Sequence, residues 1–292
     1  SKGRVTSHLS GIFYRNVNLL KQGIMPCYVW DGKPPKFKAV SGEREKRKEI
    51  ARQRYYEALK EGNLEKARMY AQQTSHLTDE MIEESIKLLD AMGIPSIRAV
   101  SEGEATCSYM CQNGDVFAAV SQDYDCLLYA CPRLVRNLNI TGRRKLPRKE
   151  EYIFIKPELI EFSELISSLN ITREQLIMLG ILVGTDYNPG GVKGYGPKKA
   201  LELVKKCKDI DEMMKQINWE FEISAQEIFN WFLHPNVTRD YKLEWKGVDK
   251  EKLIKILCDE HDFSHDRVLK ACDDLAKIQS SGRQASLNKW FG

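Results

Sequence analysis

Leu9, Ile12, Phe13, Val17 and Leu20 recur at helical spacing, which predicts an amphipathic helix over residues 6–20, stopped by Gly23. Residues 26–30, Pro-Cys-Tyr-Val-Trp, read as a short buried strand. It ends at Asp31-Gly32-Lys33-Pro34-Pro35, because proline has no N–H to give a sheet. From Gly42 to about Ser75 the large aliphatic positions thin out and the charges alternate, beginning Glu43-Arg44-Glu45-Lys46-Arg47-Lys48-Glu49. That stretch predicts two charged helices standing off the body, broken at Glu61-Gly62-Asn63. A stronger apolar period returns over 78–92 and is closed by Gly93 and Pro95.

The period then changes repeatedly. Strands are predicted at 96–99, 116–120, 127–129, 134–140 and 152–155, with a helix over 103–111 after the first of them. Beyond Pro157 the pattern is helical, with loops at 186–196 and around Pro235 and a polar, flexible tail from Gln279. Helix–strand alternation predicts an α/β body with a mostly parallel sheet. Four regions follow: 1–95 including the charged stretch, 96–170, a helical region 171–275, and the tail 276–292.

Composition narrows this only slightly. A net charge of +4 does not itself point to nucleic acid, so any such signal must come from where the charges lie. No apolar run approaches the ~20 residues that span a bilayer, and no membrane partner is expected. The eight cysteines include no C-x-x-C pair, and Cys107 and Cys111 have no second pair at zinc-finger spacing. Reduced thiols are the expected state.

Six acids fall where strands end or turns begin: Asp31, Glu102, Glu104, Asp123, Asp125 and Asp186. In an open α/β sheet ligands bind beyond the carboxyl ends of strands. Each acid has a bland alternative. Ser101 with Glu104 spells a capping box, Asp31-Gly32 is a common turn, 123–125 reads as a solvated loop, and Asp186 as a turn former. Asp123 and Asp125 would project the same way if the backbone stayed extended. Gathered together, such carboxylates repel unless a cation neutralises them. The set contains no Cys or His, which suits a pair of magnesium ions with oxygen ligands. Two ions roughly 4 Å apart would serve phosphodiester hydrolysis.

Gly190-Gly191-Val192-Lys193-Gly194-Tyr195-Gly196-Pro197-Lys198-Lys199 separates a helix ending near Val183 from one starting near Pro197. Proline at a first helical position and lysines beyond it fit a helix-hairpin-helix, whose glycine N–H groups can approach a phosphate. The alternative is an ordinary glycine-rich loop. Near the Asp31 turn, Lys36, Lys38, Lys46, Arg47 and Arg54 are the basic candidates within an otherwise solvated face. In the tail, Leu287 and Trp290 align on one side of a 3₁₀ turn beside Phe291, which marks a partner site or a docked final turn.

Tyr28-Val29-Trp30-Asp31-Gly32-Lys33-Pro34-Pro35, Ser101-Glu102-Gly103-Glu104-Ala105, Ser121-Gln122-Asp123-Tyr124-Asp125 and Gly184-Thr185-Asp186-Tyr187 resemble the signature blocks of flap endonucleases. Gly191–Lys198 is similar to that family's helix-three-turn-helix. The 121–125 block and Leu134-Val135-Arg136-Asn137-Leu138 resemble archaeal members. The resemblance implies a PIN-like fold and a magnesium-dependent, structure-specific nuclease. It would remove 5′ flaps in Okazaki-fragment maturation and repair, and act as a 5′–3′ exonuclease.

It further implies that Asp31, Glu102 and Glu104 serve mainly one metal, and Asp123, Asp125 and Asp186 mainly the other. Residues 36–75 would form a helical arch, with Lys38 and Arg47 as basic gateway positions at the scissile phosphate. Arg15 matches a DNA-contacting arginine, and Thr6 and Ser7 a pocket for a one-nucleotide 3′ flap. Glu102 and Asp186 would also lie against DNA. Gly184, Gly194, Gly196, Lys198 and Lys199 would hold the downstream duplex, with a potassium ion bridging backbone and phosphate. The tail resembles a sliding-clamp-binding box in which Gln284, Leu287, Trp290 and Phe291 make the contact. A cytoplasmic location is expected for an archaeal protein, a nuclear one for a eukaryotic.

Family members carry roughly fifty residues ahead of the point where this sequence starts, including a buried parallel strand and a further metal-binding aspartate. Their loss would leave a catalytically impaired junction and clamp binder, the main alternative function. A PIN-type ribonuclease, which would not need the glycine turn, is a third.

Overall fold

The computed structural model describes residues 6–35, 37, 50, 53–54, 56–58, 60, 62–63, 78–138, 143–145 and 152–280. Most of the expected arch and the whole tail from 281 lie outside them. Helix α1 (Ser7–Lys21) follows from its apolar stripe: Leu9, Phe13, Val17 and Leu20 are all buried. They pack against α2 (Asp79–Ala91), capped by Thr78 Oγ1 accepting from the Met81 N–H, and against the late helices α10 (Lys250–Ile254) and α11 (His265–Ser280). The two ends of the described chain therefore share one core.

Glu84 on α2 ties this core together. Its two oxygens accept from His8 Nε2 at 2.9 Å and His261 Nε2 at 3.2 Å, and both histidines are nearly buried. Burial pushes the Glu84 carboxyl up, but the bonds from His8 and His261 outweigh it and hold it below the usual range. Glu84→Ala strips two buried imidazoles of their acceptor, a loss of about 1–3 kcal/mol that thermal melts will show as a Tm several degrees lower. A carboxylate with a lowered folded pKa stabilises above its unfolded value. The gap between wild type and Glu84→Gln therefore closes as pH falls below 4.5.

Between these ends lies the α/β part. Strand β1 (Tyr28–Trp30) pairs in parallel with β2 (Ser96–Arg98), Val29 opposite Ile97. Strand β3 (Ala119–Val120) pairs in parallel with β4 (Arg133–Arg136). Helix α3 (Gly103–Gln112) contacts both β1 and β3, so the two parallel pairs meet across it.

Four expectations about strands need correction. The strand expected over 116–120 forms only at Ala119–Val120, with residues 115–117 bending ahead of it. The predicted strand at 127–129 is the end of a short helix, α4 (Asp125–Leu128), with the Tyr129 N–H bonded to Asp125 O. Leu127, Leu128 and Tyr129 are all buried, so this run never showed the alternation that separates strand from helix. The strand expected over 134–140 stops at Arg136, because Asn137 adopts φ 62°. Strand β7 (Glu158–Glu161), antiparallel to β4, lies where only helix was expected. Two short segments, β5 (Arg143–Lys145) and β6 (Tyr152–Phe154), pair antiparallel.

Helices α5 (Phe162–Leu169), α6 (Arg173–Val183), α7 (Pro197–Val204), α8 (Ile210–Met214) and α9 (Ala225–Leu233) complete a second core around Ile177, Ile181, Ile228 and Phe232. Capping boxes at Thr172/Gln175 and Ser224/Glu227 start α6 and α9.

Candidate active site

Asp31 leaves the end of β1, where the Gly32 N–H donates to Ser101 O at 2.7 Å. The turn is thereby stitched to the start of α3. The Gly103 N–H, at the first position of α3, donates to Asp31 Oδ1 at 2.7 Å. A Cβ on Gly103 would stand 2.9 Å from that oxygen, so only glycine lets the carboxylate this close.

Glu102 and Glu104 flank Gly103. The capping box suggested by Ser101 and Glu104 does not form: the Ser101 hydroxyl donates to Lys33 O at 3.0 Å. Glu104 instead accepts from the Ser121 hydroxyl, beyond the end of β3. The extended backbone expected between Asp123 and Asp125 is also absent. Residues 122–124 bend, the Asp123 N–H donates to Ser121 Oγ at 3.1 Å, and Asp125 opens α4.

Glu102, Glu104, Asp123, Asp125 and Asp186 nevertheless line one open cavity of about 860 Å³. Asp31 is not among its walls, but its charge reaches Glu104. Burial pushes the Glu104 carboxyl up to about 7; the Ser121 bond opposes this, and the charges of Asp125, Asp123 and Asp31 add to it. Arg136 is the one cation among the described wall residues. Its guanidinium lies 4.1 Å over the Tyr124 ring and reaches Glu158 at 3.3 Å.

Donors that are all carboxylate oxygens, one of them pushed up mainly by burial and further by its acidic neighbours, fit a hard divalent cation. Among the described residues no three acids close into a ready-made cage for one ion. The open cavity leaves room for water and substrate oxygens to complete the coordination, as magnesium prefers.

Directly beyond Asp186 the chain makes the glycine turn. Asn188 pins it, accepting from the Thr185 hydroxyl at 2.7 Å and donating to Ile181 O at 2.7 Å. Gly191 (φ 65°) crosses the end of α6, where an added Cβ would meet Leu182 O at 2.4 Å. Gly184 is similarly tight, its Cβ falling 2.7 Å from the Gly191 nitrogen. Gly194 (φ 88°) and Gly196 face open space, next to exposed Lys198 and Lys199 at the start of α7. The glycines therefore divide into two that pack the turn, Gly184 and Gly191, and three whose Cβ positions are open, Gly190, Gly194 and Gly196.

Thr6 precedes α1 without a side-chain cap bond, and Ser7 and Arg15 are exposed on that helix; none of the three lines the cavity. Lys38 and Arg47, and Gln284, Leu287, Trp290 and Phe291, lie outside the described residues. Sequence reasoning missed Ser121, Tyr187 and Arg136 as parts of the site. Ser121 and Tyr187 are chain neighbours of acids already singled out, which was a usable signal. Arg136 had none, since only the β3–β4 register brings it to Gln122 and Tyr124.

The XPG N-terminal domain matches residues 1–54 and the XPG I-region residues 93–186, which sets the chain in the XPG class. Flap endonuclease 1 of Staphylothermus marinus is 53% identical over 296 residues, covering 100% of this chain and 85% of that protein. Flap endonuclease 1 of Pyrococcus horikoshii is 52% identical, covering 100% of this chain and 84% of its own. The solved flap endonuclease-1 from Methanococcus jannaschii superposes with a TM-score of 0.74 at 43% identity, over 97% of this chain and 84% of that one. The catalytic core of Rad2 in complex with DNA substrate shares the fold, with a TM-score of 0.68 at 22% identity, over 94% of this chain and 86% of that one. The chain belongs to the flap endonuclease family.

Proposed function

We propose that this protein cuts 5′ flaps from branched DNA at the junction and acts as a 5′–3′ exonuclease, in Okazaki-fragment maturation and repair. The observation that carries this reading is the single cavity walled by five carboxylates, one pushed up to about 7, beside a glycine turn with exposed lysines. We assign magnesium as the metal, two ions per site, with Asp31, Glu102 and Glu104 serving mainly one and Asp123, Asp125 and Asp186 mainly the other. Bound there, magnesium supplies activation of water and neutralisation of charge at the phosphate.

The remaining residues bind and orient. Gly194 and Gly196 let backbone N–H groups approach a phosphate of the downstream duplex, and Lys198 and Lys199 add charge without reading sequence. Gly184 supports that turn, where potassium would bridge backbone and phosphate. Lys38 and Arg47 serve as basic gateway residues that steady the scissile phosphate, Arg15 contacts DNA, and Thr6 and Ser7 accept a 3′ flap. Gln284, Leu287, Trp290 and Phe291 engage a sliding clamp, on the support of their spacing. We place the protein where the cell keeps its DNA, the cytoplasm in an archaeon.

A 5′-labelled flap duplex tests the proposal. Cleavage at the junction is expected with magnesium and not with EDTA. Tight binding without cleavage under magnesium would demote the chain to a junction binder, and undiminished cutting in EDTA would remove the metal from the account.

A further inference from the structure

Tyr187 follows Asp186 directly, yet the two residues differ in environment: Asp186 is exposed in the cavity wall and Tyr187 is 3% exposed. The Tyr187 hydroxyl donates to Glu102 Oε1 at 3.2 Å, across 85 residues of chain. A phenol is protonated at neutral pH, so toward a carboxylate it is a donor. Tyr129, also buried, hydrogen-bonds the same hydroxyl.

The Tyr187 ring is set by aromatic edges. Phe37 meets it at 5.5 Å and 66°, and Phe232 at 5.6 Å and 65°. Phe37 also stands at 90° to Trp231, 5.4 Å away. Phe37 is the residue immediately before Lys38, at the entrance to the charged stretch. One side chain thus touches a cavity carboxylate with its hydroxyl, adjoins a second in sequence, and packs its ring against the residue that leads into the stretch.

We propose that Tyr187 is a positioning residue for the metal site: its hydroxyl orients Glu102, and its ring, seated by Phe37, couples Phe37 to that carboxylate. The proposal rests on the metal reading above. Groups that hydrogen-bond a metal-ligating carboxylate fix its orientation, and their loss commonly costs 10–100-fold in metal affinity or activity.

Tyr187→Phe keeps the ring and removes the hydroxyl. Isothermal calorimetry of the full chain with manganese, without DNA, should show affinity falling on the order of 10-fold. The magnesium concentration for half-maximal flap cleavage should rise by a similar factor. Duplex binding in EDTA should be unchanged, which a general loss of structure would not allow. Phe37→Leu should move the metal midpoint the same way, and the double variant should be no worse than Tyr187→Phe alone, because both act through one hydroxyl.

A Tyr187→Phe protein with wild-type metal affinity and magnesium midpoint overturns the positioning role and leaves the metal reading standing. Additive effects in the double variant overturn the coupling to Phe37. Absence of any divalent binding by the wild-type chain overturns both the proposal and the reading beneath it.

Discussion

Glu104→Gln should lower magnesium-dependent flap cleavage by about three orders of magnitude and, in the same protein, raise stability when no metal is present. Both effects come from one charge. With metal, the amide lacks the anionic oxygen that the cation requires, and the barrier rises by about 4 kcal/mol. Without metal, Glu104 is the carboxyl that its surroundings penalise most visibly, its pKa moving from 4.5 up to about 7. A carboxyl with a raised folded pKa destabilises the fold progressively as pH climbs from 4.5 to about 7, and fully above that.

At pH 8 the penalty is about 3 kcal/mol, and glutamine removes it while its carbonyl still accepts from Ser121. Melts in EDTA should therefore rank the variant above wild type at pH 8, with the gap gone below pH 4.5. Saturating magnesium should reverse that ranking, because only wild type gains fully from binding. A variant that cleaves normally, or that melts below wild type in EDTA at pH 8, contradicts the account.

The second large effect lies in the glycine turn and separates structure from function within one loop. Gly191→Ala should cost about 3 kcal/mol or more, adding left-handed strain at φ 65° to a clash with the backbone of Leu182 and Val183. Gly196→Ala should leave the melting temperature nearly untouched, since its φ is −76° and an added Cβ meets nothing within 4 Å. Its methyl would nevertheless occupy the face that a phosphate approaches, and duplex affinity in EDTA should fall about 10-fold, or 1.4 kcal/mol. Melts and gel shifts on the two variants check this. Wild-type affinity in Gly196→Ala would reduce the turn to a piece of architecture.

Much of the site was legible residue by residue. Asp31 before a glycine and two prolines, Glu102 and Glu104 around Gly103, and Asp186 ahead of the glycine run all announced turns at element ends. Helices α1 and α2 declared themselves by period and closing glycine and α7 by its opening proline, since a helix is decided by partners three and four residues apart. The apolar run 127–129 was ambiguous because burial on all sides erases periodicity. Strand β7 is only four residues long, and its pairing partner β4 lies more than twenty residues back.

The sequence by itself determined which acids were available, where each chain turn would present one, and which glycines could tolerate a left-handed backbone. Tertiary structure decided the rest. Ser121, rather than a helix cap, takes the Glu104 oxygen; Tyr187 reaches Glu102; and α3 contacts both parallel strand pairs, so that Glu102 and Glu104 at its start share one cavity with Asp123 beyond β3. Turns and helices close their hydrogen bonds within a few residues, so their rules are written locally. The repulsion among these carboxylates exists only once packing has brought distant segments together.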